Sequence, residues 1–147
     1  MSLWKTLSTC PLFYDIHQEE MEAHFINCQV SEYHKGETIF SEADEVNYLF
    51  TVLEGQITVS KSYGKDTKDI QVLSQGSFYG EHFLFSDIKK TEVLTVQENT
   101  KVLEIPFTVL QNIFENEPLI YSIFITNLNY LVLKKFEITQ NIVFRIM

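Results

Sequence analysis

The sequence predicts a mainly β domain, a sandwich or rolled barrel with flanking helices, that is followed by one long helix. Two observations support this fold class. From Val30 to Ile105 the chain consists of short runs rich in β-branched and aromatic residues, and glycines separate several of these runs. Many short strands at regular spacing are typical of sandwiches and rolled barrels. From Pro106 onward, apolar residues recur at helical spacing instead.

The strands are predicted from runs of alternating or continuous apolar residues. Residues 56–60 alternate polar and apolar side chains, as a half-buried antiparallel strand does. The segment Tyr63-Gly64-Lys65-Asp66 predicts a hairpin turn, because glycine readily adopts the positive φ that such turns need. The predicted strands are 38–40, 48–53, 56–60, 68–73, 91–96 and 101–105.

Helices are predicted before and after the strands. Residues 11–25 predict a turn and then a short helix with one apolar stripe, formed by Ile16, Met21 and Phe25. Pro106 suits a first helical position. The apolar residues behind it follow helical spacing: Phe107, Leu110, Ile113 and Phe114.

The last predicted helix runs from Leu119 to about Ile146. Its apolar residues alternate spacings of four and three, as in a coiled-coil seam with one cationic member: Phe124, Leu128, Leu131, Lys135, Ile138 and Ile142. A helix this long cannot bury all its apolar side chains against one small barrel. We therefore expect a homodimer through residues 119–147 and divide the chain into a barrel with its flanking helices, 1–118, and a dimerisation helix, 119–147.

The net charge of −9 is unevenly distributed. Residues 1–118 carry eight lysines against 19 Asp and Glu, whereas residues 119–147 have a net charge of +2. Because an acidic surface repels phosphate backbones, we expect no nucleic-acid binding by this chain itself. The N-terminus lacks the pattern of a signal peptide, and polar residues interrupt the apolar run near the C-terminus, so we expect a cytoplasmic protein without a membrane segment.

The sequence shows no catalytic or metal-binding pattern. Cys10 and Cys28 are too few for a disulfide framework, a four-cysteine zinc site or an iron–sulfur cluster. The histidines lack the spacing of a cupin-type metal site: His17, His24, His34 and His82. Since the sequence also contains no nucleophile elbow, P-loop or triad, we expect no enzymatic activity.

Three glycine-containing motifs occur in a specific order. They are His34-Lys-Gly-Glu-Thr-Ile-Phe40, Tyr48-Leu-Phe-Thr-Val-Leu-Glu-Gly-Gln-Ile-Thr-Val59 and Leu73-Ser-Gln-Gly-Ser-Phe-Tyr-Gly-Glu81. As an ordered set they resemble motifs of cyclic-nucleotide-binding domains, and the resemblance covers about residues 10–147. It is closest to the sensor domains of CRP/FNR-type bacterial transcription regulators. The resemblance implies a double-stranded β-helix (jelly-roll, cupin-like) barrel that ends in a dimerisation helix.

The resemblance also implies a ligand-binding cassette that begins at Gly80. In that family this glycine permits close approach of the backbone, and Glu81 would accept a hydrogen bond from a ribose hydroxyl. His82 and Phe83 continue the cassette, whose loop-to-helix geometry suits an anion. An ordinary surface carboxylate is the other interpretation of Glu81.

The cassette departs from the family pattern at its cationic position. The family places an arginine there, whereas this sequence holds Lys90, followed by Thr91 and Glu92. Lysine offers a point charge and not a planar fork, so we expect weaker and less selective phosphate binding. On the long helix, Lys135 stands where the family has a base-reading hydroxyl, and it could neutralise an acidic effector or simply be solvated.

The leading hypothesis is the effector-sensing domain of a CRP/FNR-type transcription regulator that binds a small anionic ligand and has no resident cofactor. A cyclic nucleotide belongs to this class of ligand, although cAMP itself is not expected. DNA would be read only by a helix-turn-helix domain, which we expect outside this chain. The alternatives are a regulatory module of a non-transcriptional signalling protein and, with less support, a metal-dependent cupin enzyme.

Overall fold

The computed structural model describes residues 3–40, 46–81 and 92–146. The backbone divides into two compact units. We call Asn27–Leu110 the β unit, and we call Met1–Ile26 together with Gln111–Met147 the helical unit. The domain boundary predicted at residue 118 stays a prediction.

Seven strands form two antiparallel sheets in the described part of the β unit. They are β1 Gln29–Tyr33, β2 Tyr48–Glu54, β3 Ile57–Tyr63, β4 Asp66–Leu73, β5 Phe78–Tyr79, β6 Glu92–Val96 and β7 Thr100–Pro106. One sheet has the order β1-β7-β2-β5, and the other has the order β4-β3-β6. The mainly β jelly-roll class predicted from the sequence is therefore confirmed, as two sheets that share one core.

The strand predictions are confirmed for β2, β3, β4, β6 and β7. The hairpin turn is also confirmed, since Tyr63 pairs with Asp66 across Gly64-Lys65. The strand predicted at 38–40 is wrong, because among the described residues this segment joins β6 by one isolated bridge, between Thr38 and Thr95, and by a 3.0 Å hydrogen bond from the Ile39 amide to the Leu94 carbonyl oxygen. Two strands were not predicted: β1 is a largely exposed edge strand rich in polar residues, and β5 has only two residues.

The core of the β unit lies between the two sheets and contains several aromatic rings. The ring centroids of Phe40, Phe50 and Tyr79 lie 5.9 to 6.2 Å apart, within the range of favourable aromatic contacts. Aliphatic residues from both sheets fill the remaining space: Val52, Ile57, Val59, Leu73, Leu94, Val96 and Val102. This alternation of core-facing residues along each strand determines which polar side chains point inward.

The helices are α1 Leu3–Leu7, a 3₁₀ turn Pro11–Phe13, α2 Gln18–His24, α3 Phe107–Asn116 and α4 Pro118–Ile146. The predicted apolar stripe before the strands is confirmed, because Ile16, Met21 and Phe25 are all buried. Pro106 ends β7, so α3 begins one residue later than predicted. No helix among the described residues is long and apolar enough to cross a membrane.

An aromatic cluster forms the centre of the helical unit. The ring of Phe124 on α4 lies 5.8 Å from that of Phe13 and 5.7 Å from that of Phe25. Phe124 and Leu128 are only 0% and 1% exposed. The prediction that these two residues face a partner helix is therefore wrong, because both are buried within the single chain, where Phe13 and Phe25 contact Phe124.

A polar contact fixes the 3₁₀ turn to α4. The side-chain amide of Asn127 donates hydrogen bonds to the carbonyl oxygens of Leu12 and Tyr14, at 3.0 and 2.8 Å. Leu12 lies within this short turn and Tyr14 directly follows it, at the helix end where carbonyl partners are missing. Asn127 is thus a structural residue of the helical unit.

Candidate ligand-binding site

The first predicted site residue, Gly80, directly follows β5 and has a φ of +103°. A Cβ atom added there would lie 3.0 Å from the carbonyl oxygen of Tyr48 and 3.1 Å from the Cα of Leu49. Only glycine combines this φ with such a close approach at low energy. Gly80 thus closely approaches β2, and its predicted close approach to a ligand stays a prediction.

Glu81 follows Gly80 and is half-buried. Its carboxylate oxygen Oε2 is shielded from solvent. The charge of Glu81 is close enough to contribute to the raised pKa of Tyr79. This environment differs from that of a freely solvated surface carboxylate, and the role of Glu81 as a ligand acceptor stays a prediction.

The structure does not describe most of the other predicted site residues. His82, Phe83, Lys90 and Thr91 lie outside the described residues. Lys135 lies on α4 in the helical unit and is partly exposed. Gly80 and Glu81 are therefore the two predicted site residues that the structure places together, by their adjacency in the chain.

Tyr79 is a residue of this region that sequence reasoning missed. Its hydroxyl donates a 2.8 Å hydrogen bond to Glu92 Oε2, and its side chain is 3% exposed. Burial, followed by the hydrogen bond and charge of Glu92, raises the pKa of Tyr79 well above its ordinary value. No local sequence signal marks it, because its partner Glu92 lies on another strand of the β unit.

Glu92 points towards the core of the β unit. It alternates on β6 with Leu94 and Val96, which both belong to the core, so the three side chains share a face. Lys61 on β3 is the direct cross-strand partner of Glu92. Since directly opposed residues of an antiparallel pair lie on the same face, Lys61 is also on the core-facing side.

A second carboxylate faces the core from the other sheet. Glu104 shares a face of β7 with Val102, and Tyr33 donates a 3.4 Å hydrogen bond to Glu104 Oε1. Tyr48 lies close enough to Tyr33 and Glu104 for both to affect its pKa. Burial, and next the charge of Glu104, raises the pKa of each tyrosine above its usual range. Polar groups from both sheets thus enter a mostly apolar interior, as in small-molecule pockets.

A separate surface cavity of about 280 Å³ is lined by Glu32, Tyr33, His34, Glu54, Asn99, Thr100 and Lys101. Lys101 Nζ lies 3.4 Å from Glu54 Oε1 and 3.5 Å from Glu32 Oε1. These carboxylates, Glu54 first, raise the pKa of Lys101. Two acidic partners already neutralise this lysine, so the cavity is a poor anion site. Within residues 3–40, 46–81 and 92–146, no cluster of His, Cys, Asp or Glu could hold a metal ion.

Comparison with known proteins relates this arrangement to one family. Residues 30–117, more than half of the chain, match the family model described as the cyclic nucleotide-binding domain. A cyclic nucleotide-binding domain from Methylobacillus flagellatus kt superimposes with a TM-score of 0.85 at 18% identity, over 99% of this chain and 82% of that one.

Two further solved structures share the fold. The N-terminal domain of a transcriptional regulator from Streptomyces coelicolor A3(2) gives a TM-score of 0.74 at 20% identity, over 91% of this chain and 94% of that one. The catabolite activator protein of Thermus thermophilus gives a TM-score of 0.75 at 20% sequence identity over 90% of this chain. The chain spans only 61% of that protein.

Proposed function

Because this chain belongs to the cyclic nucleotide-binding domain family, we propose that it is the effector-sensing regulatory domain of a CRP/FNR-type transcription regulator. The shared fold with the two regulators supports this assignment. In this proposal the domain acts in the cytoplasm, binds a small anionic effector and catalyses no reaction. DNA would be contacted by another part of the regulator.

The observation that carries the proposal is the set of core-facing polar side chains near the end of β5. Tyr79, Glu92 and Lys61 lie on the core-facing side of strands from both sheets. Buried polar groups lower the stability of a protein unless they are hydrogen-bonded. A few polar side chains in a mostly apolar interior are typical of small-molecule pockets. The neighbouring Gly80-Glu81 pair matches the start of the ligand cassette that the sequence resemblance implied.

The proposal includes a homodimer through α4, with a revised seam. Ile125, Asn129, Val132 and Phe136 follow each other at spacings of four, three and four, the pattern of a coiled-coil seam. Val132 is 36% exposed and Phe136 is 57% exposed, in contrast to Phe124 and Leu128. A polar residue such as Asn129 within a seam commonly specifies the register of the two helices.

Native mass spectrometry of freshly purified protein tests this function, because it reports the dimer mass and any retained ligand together. We expect a dimer whose mass increases when a mixture of small anionic metabolites is added. Sedimentation in the presence and absence of the ligand so identified should then show a ligand-dependent change in shape or dimer stability. A protein that binds none of these metabolites and remains monomeric at micromolar concentration would contradict the proposed function.

A further inference from the structure

A carboxylate and two tyrosine hydroxyls meet on the inner face of the sheet β1-β7-β2-β5. We call Tyr33, Tyr48 and Glu104 the acceptor cluster. Glu104 on β7 lies directly opposite Phe50 on β2, and directly opposed residues of an antiparallel pair share one face. Since Phe50 is fully buried in the core of the β unit, Glu104 also points inward. The two tyrosines pack against the same core.

The acceptor cluster differs from its neighbours in this core by its exposure to solvent. Phe50 and Val102, which neighbour Glu104 on the same face of the sheet, are 0% exposed. All three members of the acceptor cluster are only half-buried. Tyr33 also lines the surface cavity of about 280 Å³. A group that enters from solvent can therefore reach the inner face of the sheet at this cluster.

Glu104 has acceptor capacity beyond its contacts with the two tyrosines. The hydroxyl of Tyr33 donates to Glu104 Oε1 at 3.4 Å, which is long for a hydrogen bond to a carboxylate. The corresponding hydrogen bond from Tyr79 to Glu92 measures 2.8 Å. A carboxylate has about four acceptor positions, and each hydroxyl fills at most one of them. Glu104 can therefore accept a further hydrogen bond from a bound group.

The surroundings of Glu104 favour a donor that carries positive charge. The ring of Phe40 lies 5.6 Å from that of Tyr48 and 6.0 Å from that of Phe50. An ammonium group is attracted by the faces of such rings as well as by a carboxylate. Burial first, and next the charge of Glu104, raises the pKa values of Tyr33 and Tyr48, so this charge acts throughout the acceptor cluster. The same charge repels a carboxylate or a phosphate at this position.

We propose that Glu104 of the acceptor cluster binds a primary ammonium group of the effector. The inference rests on the proposed function and refines it, because it assigns a second part of the effector. The effector then carries a cationic hydrogen-bond donor in addition to its anionic group. The anionic group lies away from Glu104, since the two negative charges repel each other.

Three aromatic probes of similar size but different charge test this assignment: phenethylamine, 2-phenylethanol and 3-phenylpropionate. Each probe is titrated separately, and binding is followed through the backbone amide resonances of β2 and β7. We expect the wild type to bind the amine about tenfold more tightly than the carboxylate, with the neutral alcohol between them. Glu104→Gln should remove most of this preference, because it removes the charge and keeps the shape of the side chain. Glu104→Asp should retain part of the preference, since it keeps the charge.

The matched control is Glu98→Gln, which removes an equal charge from the exposed turn before β7 and should leave the preference unchanged. If this control reduces the preference as much as Glu104→Gln does, the assignment to Glu104 is overturned. The wild type alone also decides the matter, so the test does not depend on the folding of a variant. If the wild type binds the carboxylate as tightly as the amine, or if none of the three probes shifts the resonances of β7, the inference is overturned.

The outcomes separate this ammonium site from the proposed function. If the preference for the amine depends on Glu104 while native mass spectrometry detects neither a dimer nor a bound metabolite, the ammonium site is supported and the proposed function falls. If native mass spectrometry identifies an effector that lacks an amino group, the proposed function stands and the inference falls.

Discussion

The hydroxyl of Tyr79 donates a 2.8 Å hydrogen bond to Glu92 Oε2, and this contact joins β5 of one sheet to β6 of the other. Tyr79 is almost fully buried, and its ring lies 5.9 Å from that of Phe50. The ring therefore belongs to the apolar core while the hydroxyl reaches a charged group. One side chain thus contributes to the stability of the β unit and positions the carboxylate of Glu92.

Tyr79→Phe should lower the free energy of unfolding by about 1 to 3 kcal/mol, the usual effect of removing a hydrogen bond to a charged group. The ring packing is preserved, so the loss reflects the hydroxyl. Urea unfolding followed by circular dichroism measures this change. Tyr14→Phe is the control, since Tyr14 is 54% exposed and should change stability very little. Equal effects of the two substitutions would show that the Tyr79–Glu92 contact contributes nothing.

The stability of the protein should also decrease at alkaline pH because of this tyrosine. Burial first, and then Glu92, raises the pKa of Tyr79 above its ordinary value of 10.0. The unfolded chain therefore releases the phenol proton at a lower pH than the folded protein does. The resulting stabilisation is complete below the ordinary pKa and is lost as the pH rises above it.

Urea unfolding between about pH 9 and 11 measures this loss, which reaches at most about 1.4 kcal/mol per pH unit for one proton. The Tyr79→Phe variant should show a shallower decrease than the wild type. Part of the slope should remain, because the pKa values of Tyr33 and Tyr48 are raised too. If the stability of the wild type and of the variant decreased equally with pH, the loss at alkaline pH could not be assigned to Tyr79.

The sequence predicts those strands and helices whose apolar residues recur at a regular local spacing. The alternation of polar and apolar side chains in residues 56–60 predicts β3, and the helical spacing of the apolar residues from Phe107 to Phe114 predicts α3. The exposed strand β1 lacks such a pattern, because an edge strand with polar residues on both faces has no apolar period. Its pairing with β7 is a property of the tertiary structure.

The candidate site could be predicted only in part for a related reason. Gly80 and Glu81 form a contiguous motif, so the sequence displays them together. The neighbourhood of Lys61 and Glu92 depends on strand register, which no local pattern reveals. Similarly, the spacing of Phe124 and Leu128 predicts an apolar stripe but not what covers it. Phe13 and Phe25 of the same chain contact Phe124, and Leu128 is buried within the single chain.

Asn127→Ala should destabilise the helical unit by about 1 to 2 kcal/mol, because it removes two hydrogen bonds to backbone carbonyls. The carbonyl of Leu12 is the more costly one to leave without a donor, since its contact with Asn127 is partly buried. Thermal unfolding followed by circular dichroism checks this effect. Asn141→Ala on the exposed surface of α4 provides the control and should be neutral or slightly stabilising. If Asn127→Ala left the thermal stability unchanged, water would replace the side-chain amide as the hydrogen-bond donor at no cost in stability.

The last prediction separates the two faces of α4. Phe136→Asp places a charge on the exposed seam, so it should convert the dimer to a folded monomer, because the aspartate is solvated once the partner leaves. Leu128→Asp places the same charge at a position that is 1% exposed, so it should unfold the helical unit whatever the oligomeric state. Sedimentation velocity measures the mass, and circular dichroism measures the helix content.

Tyr130→Asp is the matched control for the seam, because Tyr130 is 64% exposed on α4 but does not share the spacing of Ile125, Val132 and Phe136. This variant should remain a folded dimer. A Phe136→Asp variant that still sediments as a dimer would assign the interface to another surface. If instead Leu128→Asp gave a well-folded monomer, the stripe first expected from the sequence would be the interface, since a side chain buried within the core of one chain cannot be charged without loss of the fold.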